Sequence, residues 1–149
     1  MKRIEISSIK EMKEFGNKLG KNLKGGECIT LTGDLGAGKT HLTKFIGEGM
    51  GIDDYITSPT FSILNIYYGD INLNHFDMYR IEDGYEFRDL GFDDYLFSDS
   101  DVSVIEWPEI AKDELPESLD LTIEKYDGEK RVIYIDYKDD KYREIVENI

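Results

Sequence analysis

The chain has 149 residues, 40% hydrophobic and 12% aromatic, which is enough apolar material to build a folded core and too much for a disordered segment. A formal net charge of −14 gives a surface that repels nucleic-acid phosphate, so any role on RNA or DNA calls for a basic partner to do most of the holding. One cysteine, Cys28, excludes an internal disulfide, and two histidines beside it argue against structural zinc.

Residues 2–6, KRIEI, read as a short strand. In the segment that follows, Ile9, Met12, Phe15, Leu19 and Leu23 recur at helical spacing. Ser8 and Glu11 have the spacing of a capping box, and Gly25-Gly26 ends the helix. The opening MKRIEISSIKEM lacks the apolar run of a signal peptide. No stretch approaches the roughly 18 apolar residues of a membrane span, so a reducing cytoplasm is the expected location.

ECITLTG is a short apolar strand running into a glycine loop, and a second helix is expected from about Lys39 to Met50, with Leu42, Phe45 and Ile46 facing inward. TFSILNIYY and INLNHFDMYRI read as strands of a hairpin joined by Gly69-Asp70. EDGYEFRDLGFDDYLFSDSD is polar, with helical spacing at Tyr85, Leu90 and Tyr95, and reads as one or two short helices. VSVIEW is a buried strand, LDLTIEKYDGEKRVIYIDYK a second hairpin turning at Asp127-Gly128, and KYREIVENI a short helix presenting Tyr142, Ile145, Val146 and Ile149. With no repeat, low-complexity tract or linker, residues 1–149 read as a single α/β domain of the P-loop NTPase fold. Its mixed central sheet has a parallel core and antiparallel additions, flanked by helices.

Gly33-Asp34-Leu35-Gly36-Ala37-Gly38-Lys39-Thr40 matches the phosphate-loop pattern G-x-x-x-x-G-K-[ST] in its required context, a strand before and a helix after. Glycines let successive backbone N–H groups converge on phosphate oxygens, and the helix N-terminus adds partial positive charge. The backbone at Gly36, Ala37, Gly38 and His41 therefore lines the phosphates, Lys39 reaches the β- and γ-phosphates, and the Thr40 hydroxyl ligates Mg²⁺. The His41 imidazole has no evident task and is expected at the surface.

Such a loop requires an acidic residue at the end of a neighbouring strand to hold the magnesium shell. Glu106, behind Val102, Val104 and Ile105, is one candidate; Asp77 in HFDMYR is its rival, either for the metal shell or to orient the attacking water, unless it simply pairs with Arg80. Thr60 in TSPTF lies where switch loops place a hydroxyl against the γ-phosphate. Trp107 sets a large aromatic beside the metal-ligand candidate, for core packing or for nucleotide or partner contact. The chain contains no N-K-x-D, no D-x-x-G and no glutamine, which disfavours guanine and points to adenine. No unmistakable arginine finger or catalytic base is visible, so intrinsic hydrolysis is expected to be slow. The basic pair Lys130-Arg131 is a candidate for the base pocket, or else solvated.

Taken in order, GDLGAGKT at 33–40, SPTF at 58–61, HFDMYRI at 75–81, LGFDDY at 90–95 and IEWPE at 105–109 resemble the TsaE family of small bacterial ATPases over nearly the whole chain. The resemblance implies participation in making threonylcarbamoyladenosine on tRNAs that read codons beginning with A. It implies ATP and Mg²⁺ as cofactors and TsaB and TsaD as partners, with tRNA met only through them. ATP hydrolysis would reset the TsaB–TsaD complex between turnovers. By resemblance Lys39 and Thr40 serve phosphate and Mg²⁺, Glu106 serves Mg²⁺, Asp77 and Trp107 serve the ATPase cycle, and Thr60 falls in a switch-like loop. His41 departs from the family, where a second threonine is frequent. Two other readings compete: a small-molecule or nucleoside kinase, which needs an arginine-bearing lid, and a nucleotide-dependent binding module without hydrolysis.

Overall fold

The computed structural model describes residues 1–57, 59 and 63–149; Thr60 lies outside the described residues. The strands are β1 (Lys2–Ile6), β2 (Cys28–Thr32), β3 (Leu64–Tyr67), β4 (Leu73–Asp77), β5 (Val102–Glu106), β6 (Leu119–Lys125) and β7 (Arg131–Tyr137). The helices are α1 (Ile9–Lys21), α2 (Lys39–Gly49), α3 (Gly84–Asp89), α4 (Asp93–Leu96) and α5 (Arg143–Glu147). Among the described residues, these seven strands form one sheet in the order β1-β7-β6-β2-β5-β4-β3. Pairing is parallel for β6-β2, β2-β5 and β5-β4, and antiparallel for β1-β7, β7-β6 and β4-β3. This is the mixed sheet with a parallel core read from the sequence.

Side chains alternate across the sheet with the strand period of two. Ile29, Leu31, Val102, Val104 and Leu73 pack with α1 and α2 on one face, while Cys28, Ile105 and Phe76 pack with Phe87, Leu96 and Ala111 on the other. Helix α1 presents Met12, Phe15 and Leu19 to the first of these cores. Its start is fixed by Ser8 Oγ, which accepts from Glu11 N–H at 3.2 Å, while the Glu11 carboxylate reaches back to Ser7 N–H at 3.4 Å. The two helices approach closely enough that a Cβ on Gly20 would lie 2.2 Å from Ile46 O, so only glycine fits there.

Differences from the sequence reading are local. The segment 82–101 forms two short helices, but Tyr85, Leu90 and Tyr95 are exposed and Phe87 and Leu96 are buried instead. Gly91, at φ 74°, breaks the helical phase between them, so one continuous spacing could not predict both inward faces. The β3–β4 connection is longer than a two-residue turn and is closed by Asn72 Oδ1 accepting from Gly69 N–H at 3.2 Å. A 3-10 segment, Pro108–Glu114, follows β5 and was not read from the sequence. Among the described residues no helix is long and apolar enough to cross a membrane.

Candidate functional site

β2 ends at Thr32, the chain turns through the glycine loop, and α2 begins at Lys39. Gly36 (φ 81°) and Gly38 (φ 108°) take left-handed backbone that a side chain would strain. The hydrogen bonding of α2 begins with Leu42 N–H on Gly38 O at 2.9 Å, so the N–H groups of its first turn lack intrahelical acceptors. These groups and the N-terminal end of the dipole face a cavity of about 460 Å³. Its lining includes Gly36, Gly38, Lys39, Thr40, His41, Asp77, Glu106 and Trp107, joined by Lys44, Tyr55 and Tyr79.

Lys39 is 6% exposed. Its ammonium donates to Gly33 O at 2.5 Å and Asp34 O at 3.0 Å, and sits 4.0 Å from the centre of the Trp107 ring. Burial pushes its pKa down from the usual lysine value, opposed by the negative charges of Glu106, Glu109, Asp77 and Asp34. A partly desolvated ammonium held only by carbonyls and a ring has much to gain from an anion.

Strand alternation sets the carboxylates. Glu106 shares the α2 face of β5 with Val102 and Val104, and parallel register places it beside Asp77 on β4. Glu106 is 3% exposed, and Thr40 Oγ–H donates to its carboxylate at 3.2 and 3.3 Å. The buried His75 ring lies with Nε2 2.5 Å from Glu106 Oε2. Asp77 is half-buried; its carboxylate accepts from Tyr79 N–H at 3.0 Å and reaches the cavity wall. Glu106 meets Thr40, and Asp77 stands beside it on the next strand. Trp107 leaves β5 in the left-handed region (φ 57°), alone among described non-glycine residues, and tilts against the Tyr79 ring at 5.0 Å. That conformation turns its ring onto Lys39 rather than along the strand.

His41 is exposed, as expected, and its ring stacks on Phe45 at 6.3 Å. Arg131 is tied into the glycine loop as well as into its own hairpin. Its Nε donates to Ala37 O at 2.8 Å and its Nη2 lies 3.4 Å from Gly36 O, so it grips the loop's carbonyls from the side of the last hairpin. Among the described residues no arginine lines the cavity. His75 was missed on the sequence, although its position two residues before Asp77 places both on one strand face.

The family model for "Threonylcarbamoyl adenosine biosynthesis protein TsaE" matches residues 6–133. Similar proteins include the tRNA threonylcarbamoyladenosine biosynthesis protein TsaE of Bacillus subtilis, 40% identical over 128 residues (85% of this chain, 79% of the relative). The TsaE protein of Streptomyces coelicolor is 45% identical over 123 residues (79% and 82%). The crystal structure of Bacillus subtilis YdiB superposes with a TM-score of 0.81 at 32% identity, covering 98% of this chain and 91% of that one. Sequence, fold and loop agree over most of the molecule, and the chain belongs to the TsaE family of tRNA threonylcarbamoyladenosine biosynthesis proteins.

Proposed function

We propose that this protein binds ATP with Mg²⁺ in the cleft of Lys39, Thr40 and Glu106 and hydrolyses it slowly. The hydrolysis supports repeated turnover by a TsaB–TsaD complex that makes threonylcarbamoyladenosine on tRNAs reading codons that begin with A. The observation that carries the nucleotide reading is the Thr40 hydroxyl against the buried Glu106 carboxylate, at the head of a helix whose free N–H groups face the cavity. All 149 residues would serve as one ATPase unit in the cytoplasm.

The donor set fits magnesium. Hydroxyl and carboxylate oxygens are the hard ligands it takes, and it draws most of its remaining ligands from phosphate and water. Among the described residues no group of three or more His, Cys, Asp or Glu could hold a metal, and a site that shares its ion with a nucleotide needs none. Bound magnesium would neutralise phosphate charge as it develops. Thr40 and Glu106 would hold that ion, and the Lys39 ammonium would exchange its loop carbonyls for phosphate oxygens. The N–H groups from Gly36 to His41 would cradle the phosphates. Asp77, beside Glu106 yet open to the cavity, is placed to orient water. Trp107 covers the lysine from the wall, and Thr60 takes the switch role.

The partner reading has a physical side. At a net charge of −14 the chain gains nothing from tRNA phosphate, so the basic surface must come from others. The test is ATP hydrolysis by the purified protein, alone and with the TsaB–TsaD complex. Stimulation that vanishes in Lys39→Ala supports the reading; a rate that the complex leaves unchanged overturns the coupling to tRNA modification.

A further inference from the structure

His75 is a polar side chain that the proposed ATPase chemistry does not use, buried with no exposure at all on the α2 face of β4. The register pairs it with Val104 and pairs Asp77 with Glu106, so His75 sits diagonally across from Glu106, within reach of a long side chain. Its Nε2 lies 2.5 Å from Glu106 Oε2, and Nδ1 has no hydrogen-bond partner among the described residues. A carboxylate oxygen accepts, and Nε2 is the ring nitrogen within reach to donate to it. A buried imidazole costs desolvation, and an aliphatic side chain would fill the same core position without that cost. The single polar contact of this ring is therefore what its presence explains, and that contact is to the carboxylate facing Thr40.

We propose that His75 is a positioning residue: its Nε2–H fixes the rotamer of Glu106 so that the carboxylate faces Thr40, and this sets the magnesium affinity of the site. The inference rests on the reading of Thr40 and Glu106 as the metal-holding pair. Glu106 has three carbon–carbon torsions to order, and Thr40 alone tethers it from the cavity side at 3.2 and 3.3 Å. The histidine holds it from the core side, where water cannot substitute. Losing such a partner behind a metal ligand costs about 10–100-fold in metal affinity.

The experiment is calorimetric binding of ADP to the full chain in EDTA and across a MgCl₂ series, for wild type, His75→Met and His75→Gln. Glutamine and methionine fill similar volumes, but only glutamine offers an N–H near the Nε2 position. The magnesium concentration that half-completes the gain in ADP affinity should rise about 10–100-fold in His75→Met. It should stay close to wild type in His75→Gln, with ADP affinity in EDTA unchanged in both. If His75→Met does not fold, His75→Asn, whose amide stops short of Glu106, takes its place under the same criteria. A donor-less variant with the wild-type midpoint, a glutamine variant shifted equally, or an equal loss in EDTA overturns the proposal. If wild-type ADP binding does not depend on magnesium at all, the metal-pair reading itself fails and takes this inference with it; that outcome is visible before any variant is made.

Discussion

The two ends of β2 bury polar groups in opposite ways. At the amino end, Tyr142 is completely buried, its Oη accepts from Cys28 N–H at 2.9 Å, and it lies 3.2 and 3.1 Å from the carbonyls of Cys28 and Glu117. The Tyr142 hydroxyl finds all its partners inside the fold. At the carboxyl end, Lys39 and Glu106 are almost as deeply buried, yet they border a cavity, and Lys39 spends its donors on the loop's own carbonyls. A closed polar network specifies and stabilises structure, whereas one arranged around a cavity is positioned to exchange partners with a ligand. The amino end should then answer to mutation in stability alone, and the carboxyl end in nucleotide chemistry.

The largest expected effect lies at the carboxyl end. Lys39→Ala removes the cation that the loop presents to the cavity, and hydrolysis should fall by about 10²–10³-fold, as for other preorganised charge donors. Stability should change little, because burying the ammonium carries a desolvation cost that offsets its contacts with the loop carbonyls. Steady-state phosphate release together with urea unfolding checks both halves; a large stability loss would erase the contrast between the two ends.

The reciprocal substitution is Tyr142→Phe. It removes one hydroxyl and leaves the Cys28 N–H without a buried acceptor, which should cost about 1–3 kcal/mol in urea unfolding. ADP affinity should be unchanged, since the cavity lies at the other end of the strand. Weakened ADP binding would mean that the two ends are coupled through β2.

What was legible in the sequence follows the same division between local and distant. The loop, β2, α2 and β5 rest on a motif and on short-range periodicity, and they appear where expected. Glu106 was legible as a strand-end carboxylate, but its contact with Thr40 was not, because that contact depends on the crossing of α2 over β5. His75 and Arg131 depend on partners 31 and 94 residues away, where no local pattern reaches. The exposed tyrosines of α3 and α4 were misread because their spacing runs through a left-handed glycine, where helical phase is lost.

Arg131 joins the last hairpin to the loop, so its loss should loosen the carboxyl end without touching the amino end. Hydrogen bonds from a charged donor contribute about 1.5–3 kcal/mol, part of which orders the loop. Arg131→Gln should accordingly weaken ADP binding about tenfold, equivalent to roughly 1.4 kcal/mol. Arg131→Lys should recover only part, because one ammonium nitrogen cannot occupy the separate positions from which Nε and Nη2 reach Ala37 O and Gly36 O. Affinity unchanged in Arg131→Gln would mean that the loop holds its shape unaided.

The smallest effect is a pH dependence rooted at the amino end. Burial pushes the Cys28 thiol up to about 12, with Asp120 adding to the rise and Lys141 opposing it. In the unfolded chain this thiol ionises near its ordinary value, so between about pH 9 and pH 12 the folded state binds more protons than the unfolded one. Stability contributed by the protonated thiol is complete below that window and falls as pH rises through it. By pH 10 the loss should be about 1 kcal/mol. Tyr142, raised mainly by its burial, acts with the same sign at higher pH, and Lys39, lowered, acts with the opposite sign as the unfolded lysines titrate. Both persist in Cys28→Ala, so the difference between wild type and this variant isolates the thiol. Urea unfolding of the two proteins at pH 8 and pH 10 should show a gap that shifts toward the variant by about 1 kcal/mol at the higher pH. A gap independent of pH would mean that the thiolate is tolerated inside, and that the amino end of β2 is wetter than its closed hydrogen bonds imply.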